Sequence, residues 1–242
     1  MSLELLWFGL FILLGFSTQI ATGFGANLIA IALGALVLPI ETMLPILVTL
    51  NVFISSITIS QEWKQIHFAT LLKIIMPLML SGMLVGILLL DYLSNNHLKK
   101  GFALLILWFS IRESYKLYRE VMPSAKGWLW QSVWTFIAGI THGLFASGGP
   151  LLVYSLSRTT LTKSQFRTTL LATWWGLNLS YALVFWQRGV LENHYVQIVY
   201  YVPILVAAIV VGQMIHNRIN EILFKKVIYA LLAICAVIML AS

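Results

Sequence analysis

Stretches of about 20 apolar residues, the length an α-helix needs to cross roughly 30 Å of hydrocarbon, recur from one end of this chain to the other. They occupy residues 3–20, 23–38, 42–60, 68–90 and 98–117, then 128–145, 148–157, 164–185, 195–215 and 222–241. No room remains for a sizeable water-soluble domain. With 60% hydrophobic and 10% charged residues among 242, there is too little polar surface to cover a globule, so a bilayer must be the solvent. Backbone groups in hydrocarbon have to be satisfied within their own segment, which points to an all-α integral membrane protein. Met1 to Trp7 carries no Lys or Arg and no small-residue cleavage site, and is read as the start of the first membrane segment. The net charge of +7 does not point to nucleic acid, because the basic residues lie in short stretches between apolar runs, where membrane orientation explains them. Cys235 sits alone in the last apolar run and is read as a lipid-facing or packing residue.

Sliding the sequence along itself reveals an internal repeat at an offset of about 124 to 126 residues. Gly15 through Leu28 (GFSTQIATGFGANL) aligns with Gly139 through Leu152 (GITHGLFASGGPLL), pairing Gly15 with Gly139, Gly25 with Gly149 and Leu28 with Leu152. Trp63 answers Trp186, Pro77 answers Pro203, Gly86 answers Gly212, and Lys99 and Lys100 answer Lys225 and Lys226. The chain therefore divides into membrane repeats over residues 1–122 and 128–242, joined near Pro123 to Gly127 within one transmembrane domain.

Charge decides how the halves are threaded. The first two runs of each half are separated only by TGFG (Thr22 to Gly25) or SGGP (Ser147 to Pro150), so each pair is one long helix or a hairpin. Single crossings divide the 15 Lys and Arg into eight and seven, which is no bias. Hairpins leave only Lys99, Lys100 and Arg188 opposite the other twelve. The expectation is two homologous inverted repeats, each opening with a Gly-rich broken-helix hairpin, with about 8–10 transmembrane segments and both termini outside the cell's inner or plasma membrane. Charge alone leaves open whether the hairpins cross fully, although Gly148 to Ser157 is too short to span.

TGFG and SGGP gather polar residues with their glycines at matching places in otherwise apolar surroundings. Broken helices at membrane depth expose N–H groups and positive helix ends, which hold an oxyanion without a buried Lys or Arg. The candidate substrate-binding residues are Thr18, Gln19, Thr22, Gly23, Gly25, Asn27, Asn51, His142, Ser147, Gly148, Gly149 and Asn178. Pro150 suits a helix start at such a site. For Asn51 and Asn178 the competing reading is polar glue between helices. His142, aligned with Thr18, carries an imidazole, a group whose ordinary pKa lies near neutrality, and is a candidate proton relay; a histidine satisfied by a neighbouring carbonyl is the alternative. Arg158, Lys163 and Arg167 read as a cytoplasmic anchor, or as residues that draw anions to the inner mouth. Trp7, Trp63, Trp128, Trp130 and Trp186 read as an aromatic belt, and the deeper Trp174 and Trp175 as packing or cavity lining.

The repeated Gly-rich hairpin, TGFGAN in one half and ASGGP in the other, within a chain split into two hydrophobic halves, resembles the TauE/SafE sulfite-exporter family of membrane permeases over its whole length. The first copy lacks the third glycine that usually follows GFG in that family. The resemblance implies transport of sulfite, an organosulfonate or a related small anion, with export coupled to an ion gradient, of protons or sodium, in some members.

Two other classes compete. Ser147, five residues after His142, suggests an intramembrane hydrolase or protease, but the repeat maps Ser147 onto Gly23 and so assigns it to a structural motif. A non-transporting assembly subunit would not need polar residues at hairpin tips. No phosphate-binding loop, metal-ligand cluster or haem motif is present in the sequence, so no cofactor is expected.

Overall fold

The computed structural model describes residues 3–119, 127–156, 161–218 and 221–241; of Lys163, 216–218 and 221–225 only the backbone is described. Ten helices and two short 3₁₀ turns are the regular elements of the described chain, and no strand is present among the described residues. The first five are α1 (Leu3–Thr22), α2 (Ala26–Gly34), α3 (Ile40–Glu62), α4 (Phe68–Leu90) and α5 (Asn95–Arg119). The second five are α6 (Trp128–Phe145), α7 (Gly149–Leu156), α8 (Lys163–Gln187), α9 (Tyr195–Arg218) and α10 (Glu221–Ala241). By length and composition, Leu3–Thr22, Ile40–Gln65, Phe68–Leu90 and Leu191–Ile215 are long and apolar enough to cross a membrane. The expected junction at Pro123 to Lys126, and Arg158, lie outside the described residues.

Local chemistry sets several helix ends. Thr162 and Gln165 form a capping box at the start of α8, each side chain accepting from the other residue's backbone N–H. Asn95 Oδ1, at the start of α5, accepts from Ile40 N–H at 3.1 Å and satisfies one orphan donor of α3. Within α4 the backbone widens into a π-turn over Leu71–Ile75, just ahead of Pro77, where the ring would otherwise press on the preceding turn.

Residues 23–25 and 146–148 interrupt the helices. Gly15 lies against the backbone of Ala26 and Ala30, so the chain turns back between α1 and α2; Gly148 lies against the carbonyl of Ala138, so it turns back between α6 and α7. The returning helices have 9 and 8 residues. At 1.5 Å per residue they rise about 13 and 12 Å, under half the hydrocarbon thickness, so neither helix is long enough to span it alone.

Between longer helices the main pairings are α1 on α9, α4 on α6, α3 on α8 and α5 on α10. Glycines let two of these approach to backbone contact. Gly82 and Gly86 of α4 meet Gly139 and Gly143 of α6: a methyl on Gly86 would fall 2.9 Å from Gly143 Cα, and one on Gly139 would fall 3.0 Å from Gly82 Cα. In the α1–α9 pair, a methyl on Gly212 would fall 2.7 Å from Ser17 O and 2.6 Å from Ile20 Cβ. Such contact is how membrane helices gain van der Waals energy without a hydrophobic drive between them.

Candidate functional site

The two interrupted segments meet inside the bundle. Asn27, in the first turn of α2, donates from Nδ2 to Ala146 O at 2.8 Å, and Phe24 lies 3.4 Å from where a methyl on Gly149 would sit. Between them is a polar cavity of about 20 Å³, room for one water. It is lined by Gln19, Gly25, Asn27, Asn51, His142, Ser147, Gly148, Gly149 and Asn178 from the expected set, together with Ala26, Leu28, Ala146, Pro150 and Trp174.

Backbone geometry builds the turns. Gly23 and Gly25 have φ of +89° and +105°, a region L-residues rarely enter, and Ala146 takes φ +47° without being glycine. Each turn delivers the start of a short helix to the cavity, with first-turn N–H groups that have no intrahelical acceptor. Roughly half a positive charge at each helix start adds to those donors. No lysine, arginine, aspartate or glutamate is among the described residues lining the cavity.

The wall from α1, α2 and α3 is a closed amide network. Asn51 donates from Nδ2 to Gln19 Oε1 at 3.1 Å and to Asn27 Oδ1 at 3.4 Å, and Ser55 donates to Asn51 Oδ1 at 2.9 Å. Gln19 Nε2 reaches Asn51 Oδ1 and Ser55 Oγ at 3.4 Å. The wall from α6 and α8 is different. His142 is 1% exposed and neither ring nitrogen has a partner; its ring stacks on Trp174 at 5.9 Å between centroids. Asn178 donates from Nδ2 to Trp174 O at 2.8 Å while its Oδ1 is unpartnered. His142 therefore makes no hydrogen bond to Ser147, and the nucleophile–base pair a hydrolase would need is not assembled.

Three expected residues fall elsewhere. Thr18 and Thr22 line a separate apolar pocket with Phe24, Phe109, Tyr229 and Leu232. Their hydroxyls are spent locally, Thr18 donating to Leu14 O at 2.8 Å and Thr22 held by Thr18 O and Phe24 O at 2.9 Å. Gly23 is turned towards α8, where its carbonyl accepts from Trp174 Nε1 at 2.9 Å. Arg167, expected as an anchor, pairs with Glu62 and donates to Ile20 O at 2.9 Å, fastening the end of α1. Trp174 is thus a cavity residue. Trp175 instead lies on the exposed side of α8, where its Nε1 donates to Ser56 Oγ at 2.8 Å, and Cys235 is buried. Ser55 and Ala146 carry no sequence signal of their own beyond their places near Asn51 and beside Ser147.

The profile of the family described as Sulfite exporter TauE/SafE matches residues 7–239, nearly the entire chain. The chain belongs to the TauE/SafE family. Membership makes it a multi-pass membrane transport protein, in keeping with its apolar helices. No curated protein and no solved structure matches it. In this TauE/SafE chain both Gly-rich segments border the polar cavity, the first through Gly25 and the second through Ser147, Gly148 and Gly149.

Proposed function

We propose that this TauE/SafE chain is a secondary transporter that carries a small anion, sulfite, an organosulfonate or a related sulfur oxyanion, by alternating access across the cell's inner membrane. One observation carries the reading: two helix starts open into one buried polar cavity that holds no charged side chain among its described lining. The anion contacts the N–H groups of the Ala26 and Gly149 turns, with Ser147 and the amides of Gln19, Asn51 and Asn178 around it.

The two halves act as inverted repeats. Exchanging each helix for its counterpart about 125 residues away turns the α1–α9 pairing into α6–α4 and leaves α3–α8 and α5–α10 as they are, which supports a twofold relation. Each half then contributes one short helix to a site on the pseudo-axis, and rocking exposes it to either side in turn. The present cavity holds about one water, so the turns part to admit the anion. His142 carries the coupling proton; sodium is the competing ion.

Radiolabelled sulfite, sulfate and sulfonate flux in proteoliposomes is the direct test. Purified Gly149→Leu, filling the space before Phe24 and Trp174, should lose anion binding, while Ser147→Ala should weaken it by about 1–2 kcal/mol. Wild-type affinity in both folded variants would place the site elsewhere.

A further inference from the structure

The two walls of the cavity make different demands on a bound anion. Along Gln19, Asn51 and Ser55 the amide and hydroxyl groups satisfy one another. Asn178, 1% exposed, has its orientation set by the bond from Nδ2 to Trp174 O, which leaves Oδ1 as the unpartnered atom. An amide oxygen only accepts. A fully deprotonated anion would meet it lone pair to lone pair and leave a buried acceptor unsatisfied, whereas a ligand hydroxyl would satisfy it.

Charge points the same way. The starts of α2 and α7 supply roughly half a positive charge each, about one in total. One negative charge is balanced by that; a second would sit in a low-dielectric cavity with no permanent cation beside it. His142 of α6 is the one titratable side chain among the described lining residues, with Tyr181 of α8 behind it at 6.4 Å between ring centroids. Arg167 of α8 and Glu62 of α3, packed on the end of α1, pair with each other.

We propose that the site takes a singly charged oxyanion that still bears a hydroxyl hydrogen, donated to Asn178 Oδ1, and rejects dianions. The proposal rests on the reading of the cavity as an anion site. Three probes separate its parts: sulfite titrated through its second ionisation, sulfate as a dianion throughout, and methanesulfonate as a monoanion without a hydroxyl.

Binding isotherms on the purified full chain in lipid nanodiscs decide the matter. Sulfite affinity should fall about tenfold per pH unit above its second ionisation. Methanesulfonate should bind more weakly, with a pH profile shallower than that of sulfite because only His142 contributes to it, and sulfate should not displace sulfite. Asn178→Leu should bring the sulfite and methanesulfonate affinities together. Sulfite affinity that stays constant or rises through the ionisation overturns the proposal and leaves the anion site standing. A methanesulfonate profile parallel to that of sulfite also overturns it, because titration of His142 would move both. Binding of none of the three at any pH overturns the site itself.

Discussion

Ala146 holds a backbone conformation that an L-residue adopts at a cost of roughly 1–2 kcal/mol, and it does so at the end of α6, where Gly23 takes the same left-handed region at the end of α1. Ala146→Gly should therefore raise stability by about 1 kcal/mol, read as a higher Tm in detergent, provided the bond from Asn27 to its carbonyl survives. The neighbouring glycines differ from one another. Gly149 faces Phe24 and Trp174 at 3.4 Å and beyond, so Gly149→Ala should fold normally. Gly148 abuts the carbonyl of Ala138 and leaves only 3.0 Å to Met79 Cε, so Gly148→Ala should lose folded protein on size exclusion. At His142, which lacks partners for both nitrogens, His142→Gln should keep substrate exchange while abolishing the dependence of net methanesulfonate flux on a pH gradient, a probe whose own charge does not change with pH. Unchanged gradient dependence would leave His142 as a packing residue against Trp174.

At the scale of elements, the glycine-lined seam between α4 and α6 should be the least forgiving. Gly86→Leu must separate two backbones already in contact at Gly143, and should cost several kcal/mol, more than typical core substitutions, seen as lost monodispersity in mild detergent. Phe68–Leu90 was legible as a span because apolar length, bounded by charge or turn residues, is itself the signal in a bilayer. The breaks at TGFG and SGGP were legible for a related reason: Gly and Pro interrupt helices through backbone sterics that act locally. Partnership between helices was not legible. Gly82 with Gly86 and Gly139 with Gly143 each form a G-x-x-x-G pair, yet nothing local says which helix faces which. Thr22 exposes a second limit. A threonine at a helix end can aim its hydroxyl into a cavity or back onto its own turn, and that choice is made by the rotamer, which the residue type does not reveal.

For the whole molecule, orientation is the open quantity. Single cysteines at Lys99 and Lys225, in a chain whose Cys235 is replaced, occupy equivalent positions of the proposed repeat; labelling from opposite faces of the membrane is the expected result for inverted halves. Labelling from one face would mean parallel repeats, and the site would then lie off any pseudo-twofold axis. The pairings are those the proposed repeat calls for: Gly86 on α4 meets Ile140 and Gly143 of α6, while Gly212 on α9 meets Ser17 and Ile20 of α1.

A cavity without a fixed charge also determines what transmembrane voltage does to the cycle. In the proposed alternating-access cycle an empty carrier moves almost no charge when it reorients, whereas one loaded with a monoanion moves a full negative charge. Each 100 mV, negative inside, then favours outward passage of the loaded form by about 2.3 kcal/mol, about fiftyfold at equilibrium, with no second ion required. A proton riding on His142 would cancel that charge and with it the effect. Efflux from proteoliposomes under an imposed potassium diffusion potential should therefore accelerate with voltage in His142→Gln and respond little in the wild type, so that an electrical measurement reads whether the proton travels with the cargo.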